Sequence, residues 1–420
     1  MARRDTEVLI IGGGIGGLAL ALSLYQSGIS CRIYESVAQI RAVGAGINLL
    51  PHAVRELDEL GLVPALDKVG IRTLDASYFN KFGQLIYTEP AGEAAGYPWP
   101  QFSIHRGDLQ QTLLDAVIER LGAEAVVTGH RATQIDQTED GVTIHFVDAN
   151  GDSLREVTAS IVVGADGIHS AIRKQFYPDE GEPIYSGITI WRGVTPFKPF
   201  LSGADTIRAG WMTVGKLMVY PIRNNIDAEG NQLMNWVASQ ERPKPASMDW
   251  NRVAHTGEFI EPYLDWNFDW LDVPKLLRQT ERPLVFPMVD RDPVPTWTFG
   301  RVTLMGDAAH PMYPRGSNGA GQAILDARFL TGSFKRNGLT TEALEEYDRE
   351  RVAATTKVVL TNRKNPPDAI LREVHERSGG KPFRHINDII SNEELAEISQ
   401  SYKRVAGFEI EQLKKRAAYV

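Results

Sequence analysis

Residues 7–11, Glu-Val-Leu-Ile-Ile, form a short apolar run, and residues 15–27 carry small and aliphatic side chains at helical spacing. Residues 31–35, Cys-Arg-Ile-Tyr-Glu, read as a second strand that ends in an acid. A glycine cluster separates the first strand from the helix, so the pattern spells strand, tight turn, helix, strand: a βαβ unit. Leucine-rich helices are expected over 52–60 and over 107–121, the latter opening after Arg106, with alternating strands over 124–163. After Pro178 the pattern changes. Segments 188–194, 217–222 and 233–238 are β-branched and aromatic, which predicts sheet in place of alternating α/β. The α/β character returns with the strand 301–305 and a long helix after Gly319, so one α/β domain is split by a sheet-rich insertion. Pro366, Pro367, Gly379, Gly380 and Pro382 predict a break before a final charged helical stretch over 390–416, and no internal repeat is seen.

Composition narrows the class. The chain has 420 residues and 45 Lys and Arg against 53 Asp and Glu, a formal charge of −8, which argues against a nucleic-acid partner. With 43% hydrophobic and 23% charged residues it is neither disordered nor fibrous, and its length favours two domains. The single Cys31 excludes an internal disulfide and a Cys-rich metal site, so the cytoplasm is the expected compartment. Arg3 and Arg4 before the apolar run 8–24 could pass for an export leader, but the glycines at 12–17 make a poor signal core. No other stretch approaches the roughly 20 apolar residues of a membrane span.

Three clusters carry the chemistry. Gly12-x-Gly14-x-x-Gly17, with Ile15 and Gly16 inside it, lies between strand and helix as a dinucleotide fingerprint requires. The first glycine permits the turn, the second admits a pyrophosphate, and the third lets helix and strand pack. Glu35, with Ser36 beside it, stands where a carboxylate can hold a ribose diol. The second cluster is Val-Val-Gly-Ala-Asp-Gly-Ile-His-Ser at 162–170, containing Asp166 and Gly167 and followed by Arg173. The third is Gly306-Asp307-Ala-Ala-His310-Pro, and Gly316-Ser-Asn318-Gly319-Ala-Gly opens the next helix. Taken singly, the second and third also read as capped turns.

In their order and separation, the three clusters resemble those of the class A flavoprotein aromatic hydroxylases, the single-component monooxygenases related to 4-hydroxybenzoate and salicylate hydroxylases. The resemblance spans residues 5–365 and is nearest to the 5-methylphenazine-1-carboxylate 1-monooxygenases, through segments 44–48, 102–107, 191–194 and 287–293. It implies a Rossmann-like FAD-binding domain of glutathione-reductase type (1–75, 100–180 and 285–365). That domain would be interrupted by a β-sheet substrate domain (76–99 and 181–284) and followed by a helical segment (366–420). FAD would be held at its adenosine end by Gly12, Gly14, Gly17 and Glu35. Asp166 would serve FAD and the nicotinamide cofactor, Asp307 the ribityl chain, and Arg106 would reach FAD. The implied reaction uses NADH or NADPH and oxygen to hydroxylate an aromatic ring through a flavin hydroperoxide.

The helix opening at Gly316 to Ala320 would aim amides at the flavin, with Asn318 and Gly319 as contact points. The apolar loop 46–50, including Gly46 and Asn48, and Pro314 are candidates for shutting out water. For the substrate, Trp191, Tyr220 and Trp236 can line an aromatic pocket or serve as core packing. Arg192 and Arg315 are candidate partners for a substrate carboxylate, although Arg192 also reads as a sheet-edge residue. Arg315 departs from the apolar residue that the resemblance leads one to expect before Gly316. Tyr220 and His52 are the candidate bases, each with a structural reading beside it. The substrate is expected to be an aromatic or N-heteroaromatic acid or phenol, with decarboxylation open, and the protein a monomer or homodimer. A disulfide reductase lacks its cysteine pair here, a flavin halogenase its Trp-x-Trp-x-Ile-Pro element, and a two-nucleotide dehydrogenase its second fingerprint. A non-catalytic flavin sensor is the remaining alternative. The nine histidines show no metal-ligand spacing, so no metal is expected.

Overall fold

The computed structural model describes residues 5–41, 44–245 and 252–420. Arg3 and Arg4 lie outside them. Strand Thr6–Ile11 runs parallel to Cys31–Tyr34 on one side and to Val157–Gly164 on the other. Its residues Val8 to Ile11 are at most 3% exposed. A strand covered on both faces needs apolar side chains at successive positions, which is why it reads as an unbroken run. Val302–Leu304 extends the sheet in parallel beyond Val157–Gly164, and the hairpin Arg131–Gln137 and Val142–Val147 joins antiparallel at that strand's start. The glycine turn, the Asp166 turn and the Gly306 turn therefore follow three adjacent parallel strands. Open α/β sheets bind ligands off those carboxyl ends.

Helix Ile15–Gln26 is apolar almost all round and is buried against helix Gly319–Asn337. The two approach so closely that a Cβ on Gly16 would come within 3.2 Å of the Ala323 Cβ. Helices Pro51–Glu59 and Arg106–Leu121 lie where the spacing predicts them.

Seven strands form a second sheet in the order Leu284–Asp290, Ile184–Phe197, Gln232–Glu241, Gly215–Arg223, Asp205–Trp211, Asp75–Phe79, Leu85–Pro90. All of its pairings are antiparallel except that of Asp205–Trp211 with Asp75–Phe79. One face carries an aromatic core of Trp191, Trp236, Phe259, Tyr263 and Trp266, and helix Val273–Arg278 packs into it. The other face looks toward the three turns. A short sheet, Gly46–Leu49, Phe102–His105 and Gly70–Arg72, fills the junction.

The C-terminal region differs from its expectation. Where a break was predicted over 366–382, Pro366 and Pro367 end the long helix Thr341–Lys364, and Asp368 sits at the N-cap of a new helix, Ala369–Ser378. Gly379 and Gly380, at φ +63° and +68°, close it. The helical stretch expected over 390–416 is two helices, Asn392–Ala406 and Ile410–Lys415, divided at left-handed Gly407.

Candidate active site

The first turn shows what each glycine does. Gly12 has φ +109°, and a Cβ there would overlap the carbonyl of Ala165. One on Gly17 would overlap the carbonyl of Gly12. A Cβ on Gly14, by contrast, meets nothing within 4 Å among the described residues. Two of the fingerprint glycines thus answer to the protein's own packing, and the third leaves space that the protein does not use. Glu35 holds the turn from the next strand: Gly13 N–H donates to its Oε2 (2.7 Å), and Ser36 Oγ and Val37 N–H donate to Oε1.

In the second turn, Asp166 Oδ2 accepts from the Ala171 amide (2.8 Å), while its buried Oδ1 has no partner among the described residues. Burial raises this carboxyl pKa against the pull of Ser170 and of backbone amides. Arg173, which follows it, ties the second turn to the third. Its Nη1 donates to the carbonyls of Ala308 (3.0 Å) and Ala309 (2.6 Å), and Glu180 pairs with the same guanidinium.

Asp307 opens onto the cavity between the sheets while protein surrounds it, and that desolvation raises its carboxyl pKa against the opposing charges of His310 and Arg106. No hydrogen bond engages its carboxylate among the described residues. Behind it, Asp326 accepts from the Gly306 amide (3.0 Å) and from Arg351 Nε (2.7 Å), with His310 Nε2 at 2.6 Å. Burial works to raise the Asp326 carboxyl, but these partners overcome it and hold it at about 2. Helix Gly319–Asn337 starts beside Asp307, and its N-cap Asn318 makes no capping bond with its side chain. Its first amides therefore point, with the positive end of the helix, at the cavity.

The cavity encloses about 380 Å³. Gly14, Ile15, Gly16, Arg106, Gly167, Gly306, Asp307, Pro314, Asn318 and Gly319 reach it from the nucleotide side, and Gly46, Asn48, Arg192, Tyr220 and Arg315 from the other. Gly46 is a tight crossing between the halves. Its N–H donates to Asn235 Oδ1 (2.7 Å), its carbonyl accepts from Arg192 Nη2 (3.0 Å), and a Cβ would come within 2.7 Å of Asn235 and Tyr220.

Several sequence candidates lie elsewhere. Gly12, Gly17 and Asp166 sit beneath the cavity surface, and Glu35 and Ser36 lie away from it, at the end of the second strand. Gly316 does not face the cavity, because a Cβ there would overlap the Tyr402 hydroxyl. Trp191 and Trp236 point away from it. Trp191 stacks on Phe259 (5.4 Å), and Trp236 Nε1 donates to Thr280 Oγ1 (2.8 Å) inside the aromatic core. Side chains alternate along a strand, so Arg192 faces the cavity because Trp191 does not.

His52 is fully buried, stacked on Phe408 (5.2 Å) beside Asn318, and is not itself part of the cavity lining. Burial, with the Arg416 charge, lowers its pKa to about 3, so it stays neutral and out of reach of a substrate. Tyr220 does line the cavity, but burial outweighs the nearby Arg192 charge and raises its phenol to about 12. At neutral pH it is a hydrogen-bond donor, not a base.

The sequence reading passed over Lys216, Met218 and Ser239, which line the same face of the sheet. It also missed Asp368, whose Oδ1 accepts from Arg315 Nη2 (3.1 Å) and whose Oδ2 pairs with Lys216. The period-2 pattern from Arg192 and Tyr220 could have found Lys216 and Met218. No local signal marks Asp368.

A dinucleotide of the flavin type fits these donors. The space over Gly14, the unpartnered Asp166 Oδ1, the free Asp307 carboxylate and the uncapped helix each lack a protein partner that a pyrophosphate, hydroxyls and a flavin ring could supply. Residues 5–362 match the FAD binding domain family. The chain is 43% identical over 366 residues to phenazine 1,6-dicarboxylic acid hydroxylase PhzS of Lysobacter antibioticus, covering 86% of this chain and 89% of that one. It is 32% identical to 3-hydroxybenzoate 6-hydroxylase of Polaromonas naphthalenivorans over 86% and 87% of the two chains. A solved salicylate hydroxylase substrate complex superposes with a TM-score of 0.72 at 25% identity, covering 98% of each chain. The chain therefore belongs to the FAD-binding family of class A aromatic monooxygenases, which take electrons from NADH or NADPH and place an oxygen atom from O2 on an aromatic substrate.

Proposed function

We propose that this enzyme hydroxylates an aromatic or N-heteroaromatic carboxylic acid. The observation that carries the reading is Arg192, a half-buried guanidinium on the cavity face of the sheet that forms no salt bridge and whose buried Nε has no partner among the described residues. An unpaired, half-buried cation is costly, and a substrate carboxylate is the group that would satisfy it. Similarity supports this, since phenazine 1,6-dicarboxylic acid and 3-hydroxybenzoate are ring acids in the names of two relatives.

In this reading Gly12, Gly14, Gly17, Glu35 and Ser36 hold the adenosine end of FAD, and Asp166 with Gly167 and Asp307 with Gly306 hold its middle. Ile15, Gly16, Arg106, Pro314, Asn318 and Gly319 meet the ring system. Bound FAD supplies the activation of O2 that the side chains cannot. Arg192 orients the acid, and Tyr220 donates its hydroxyl proton to a ring oxygen or carboxylate. Met218, Val237 and Met288 give the ring an apolar seat. Gly46 and Pro314 close the cavity against water. No base is required of the protein if the substrate enters as its anion.

The discontinuous division into an FAD domain, a sheet-built substrate domain and a C-terminal segment belongs to the same reading. So does a cytoplasmic monomer or homodimer, supported by the lone Cys31, whose thiol burial raises to about 12. The test is NADH and NADPH oxidation by the FAD-loaded protein with hydroxybenzoates, hydroxynicotinates and phenazine carboxylates, recording product masses. An acid that speeds oxidation and either gains one oxygen or exchanges its carboxylate for hydroxyl is the expected result. If only neutral rings did so, the assignment would be lost.

A further inference from the structure

Three buried cations gather around one carboxylate at the end of the cavity away from Arg192. Asp368 is 0% exposed, Lys216 6% and Arg208 7%, and the Arg315 side chain 10%. Lys216 Nζ and Arg315 Nη2 both engage Asp368, and the charge of Arg208 bears on Asp368 and on Lys216. Among the described residues none of the three cations makes another salt bridge. Arg208 lies over the Tyr78 ring, and among the described residues the buried Nε atoms of Arg208 and Arg315 have no partner. Glu89, the other carboxylate near Arg208, is taken by Lys403 Nζ (2.9 Å) and Ser399, so Asp368 alone stands against three cations and two positive charges are left uncompensated in a desolvated place, an arrangement that asks for an anion. Lys216 and Arg315 line the main cavity. Arg208 lines a small adjoining one of about 60 Å³ that shares Asn48 and Ser317 with it.

The sheet sets the distance from this group to Arg192. Lys216 pairs with Ser239, which pairs with Ile190, two residues before Arg192 on the next strand but one. Two strand spacings across and two residues along put the Cα atoms of Arg192 and Lys216 roughly 12 Å apart. Both face the cavity, and their charged ends are drawn to different partners, Arg192 Nη2 to the Gly46 carbonyl and Lys216 Nζ to Asp368, so each marks its own end of the cavity.

We propose that Lys216 and Arg315, with Arg208 behind them, form a second anion subsite, and that the preferred substrate is a flat ring system carrying two acid groups, one at each end of the cavity. The proposal rests on the aromatic-acid reading above. Asp368 is its positioning residue, holding Lys216 and Arg315 against the wall from a segment beyond the family match.

The test is ligand affinity of the FAD-loaded protein, read from flavin absorbance changes and from calorimetry, for phenazine-1-carboxylate against phenazine-1,6-dicarboxylate and for benzoate against benzene-1,4-dicarboxylate. In at least one pair the diacid is expected to bind at least tenfold more tightly. Lys216→Met should erase that preference, while Arg192→Met weakens monoacid and diacid alike. Asp368→Asn frees the cations and should widen the preference, whereas a purely structural Asp368 would weaken both ligands on mutation. If Lys216→Met does not fold, the double variant Lys216→Met with Asp368→Asn, which removes the carboxylate together with its lysine, replaces it and is compared with Asp368→Asn alone. Equal affinity for monoacid and diacid in both pairs, or equal losses in Lys216→Met, would overturn the second subsite alone. Binding of no acid at all would overturn the aromatic-acid reading and this proposal with it.

Discussion

The nucleotide side of the cavity is lined by turns, glycines and a helix end, whereas the seven-stranded sheet opposite lines it with Arg192, Lys216 and Tyr220. A backbone site is tied to the fold. Gly12 and Gly17 are fixed by carbonyls they nearly touch, so little can change there without changing the turn. A wall of alternating side chains can be rewritten position by position while the strands stay paired. The same oxygen chemistry can in this way be kept while the substrate is exchanged.

The largest effect that sharpens this contrast is expected between two glycines of one motif. In Gly17→Ala the new methyl overlaps the Gly12 carbonyl, so the apoprotein should lose its cooperative melting or fail to accumulate. In Gly14→Ala the methyl meets no protein atom, so the apoprotein should melt like the parent while FAD affinity in a fluorescence titration falls at least tenfold. Equal behaviour of the two would break the distinction between packing and ligand glycines. Asp307→Ala is expected to raise the FAD dissociation constant about tenfold or more, as for loss of charge-assisted hydrogen bonds. A variant that purifies with full flavin and unchanged turnover would remove Asp307 from the cofactor wall.

On the sheet side, Arg192→Met should lower kcat/KM for aromatic acids about 100-fold, chiefly through KM, the scale of a buried charged pair. A change confined to kcat would argue against carboxylate binding. His52→Gln tests the residue moved out of the site. An ordinary histidine takes up its proton near pH 6.5, but His52 in the fold does so only at about 3. Below pH 6.5 the unfolded chain therefore binds a proton that the folded one refuses, and stability falls as pH drops toward 3, by about 2 kcal/mol at pH 5. His52→Gln should flatten that slope in denaturant melts taken from pH 7 to 5 and leave turnover alone. The smallest effect is expected from Trp236→Phe, which loses the bond to Thr280. It should reduce stability by about 1 kcal/mol without altering KM, since the ring lies on the far face of the sheet.

These two walls were not equally legible. The βαβ start, the order of the three turns and the helix after Gly319 could be read because each is local: a strand, a turn residue and a helix start within a few positions. The substrate wall could not, because its meaning lies in which face each residue takes. Trp191 and Arg192 are neighbours in sequence and both were candidates, but they look in opposite directions and only Arg192 lines the cavity. Tyr220, a candidate base with a structural reading beside it, does line the cavity, and the burial that raises its phenol is invisible in sequence. Asp368 was out of reach, because its partners Lys216 and Arg315 are brought to it only by the tertiary fold.

Tyr402, on helix Asn392–Ala406, accepts from Asn318 Nδ2 (3.0 Å), donates to Asn362 Oδ1 (2.8 Å) and occupies the place a side chain at 316 would take. The loop that presents the helix amides is thus braced by a residue some 80 positions further along. On the ribosome, the strand and turn of the fingerprint emerge first, while the Asn318 loop lacks its brace until helix Asn392–Ala406 has left the exit tunnel. The brace on this loop is then the last part of the cofactor side to be made: a chain that ended with the family-matched region would own the glycine and aspartate turns and still lack the Tyr402 clasp that sets the Asn318 loop.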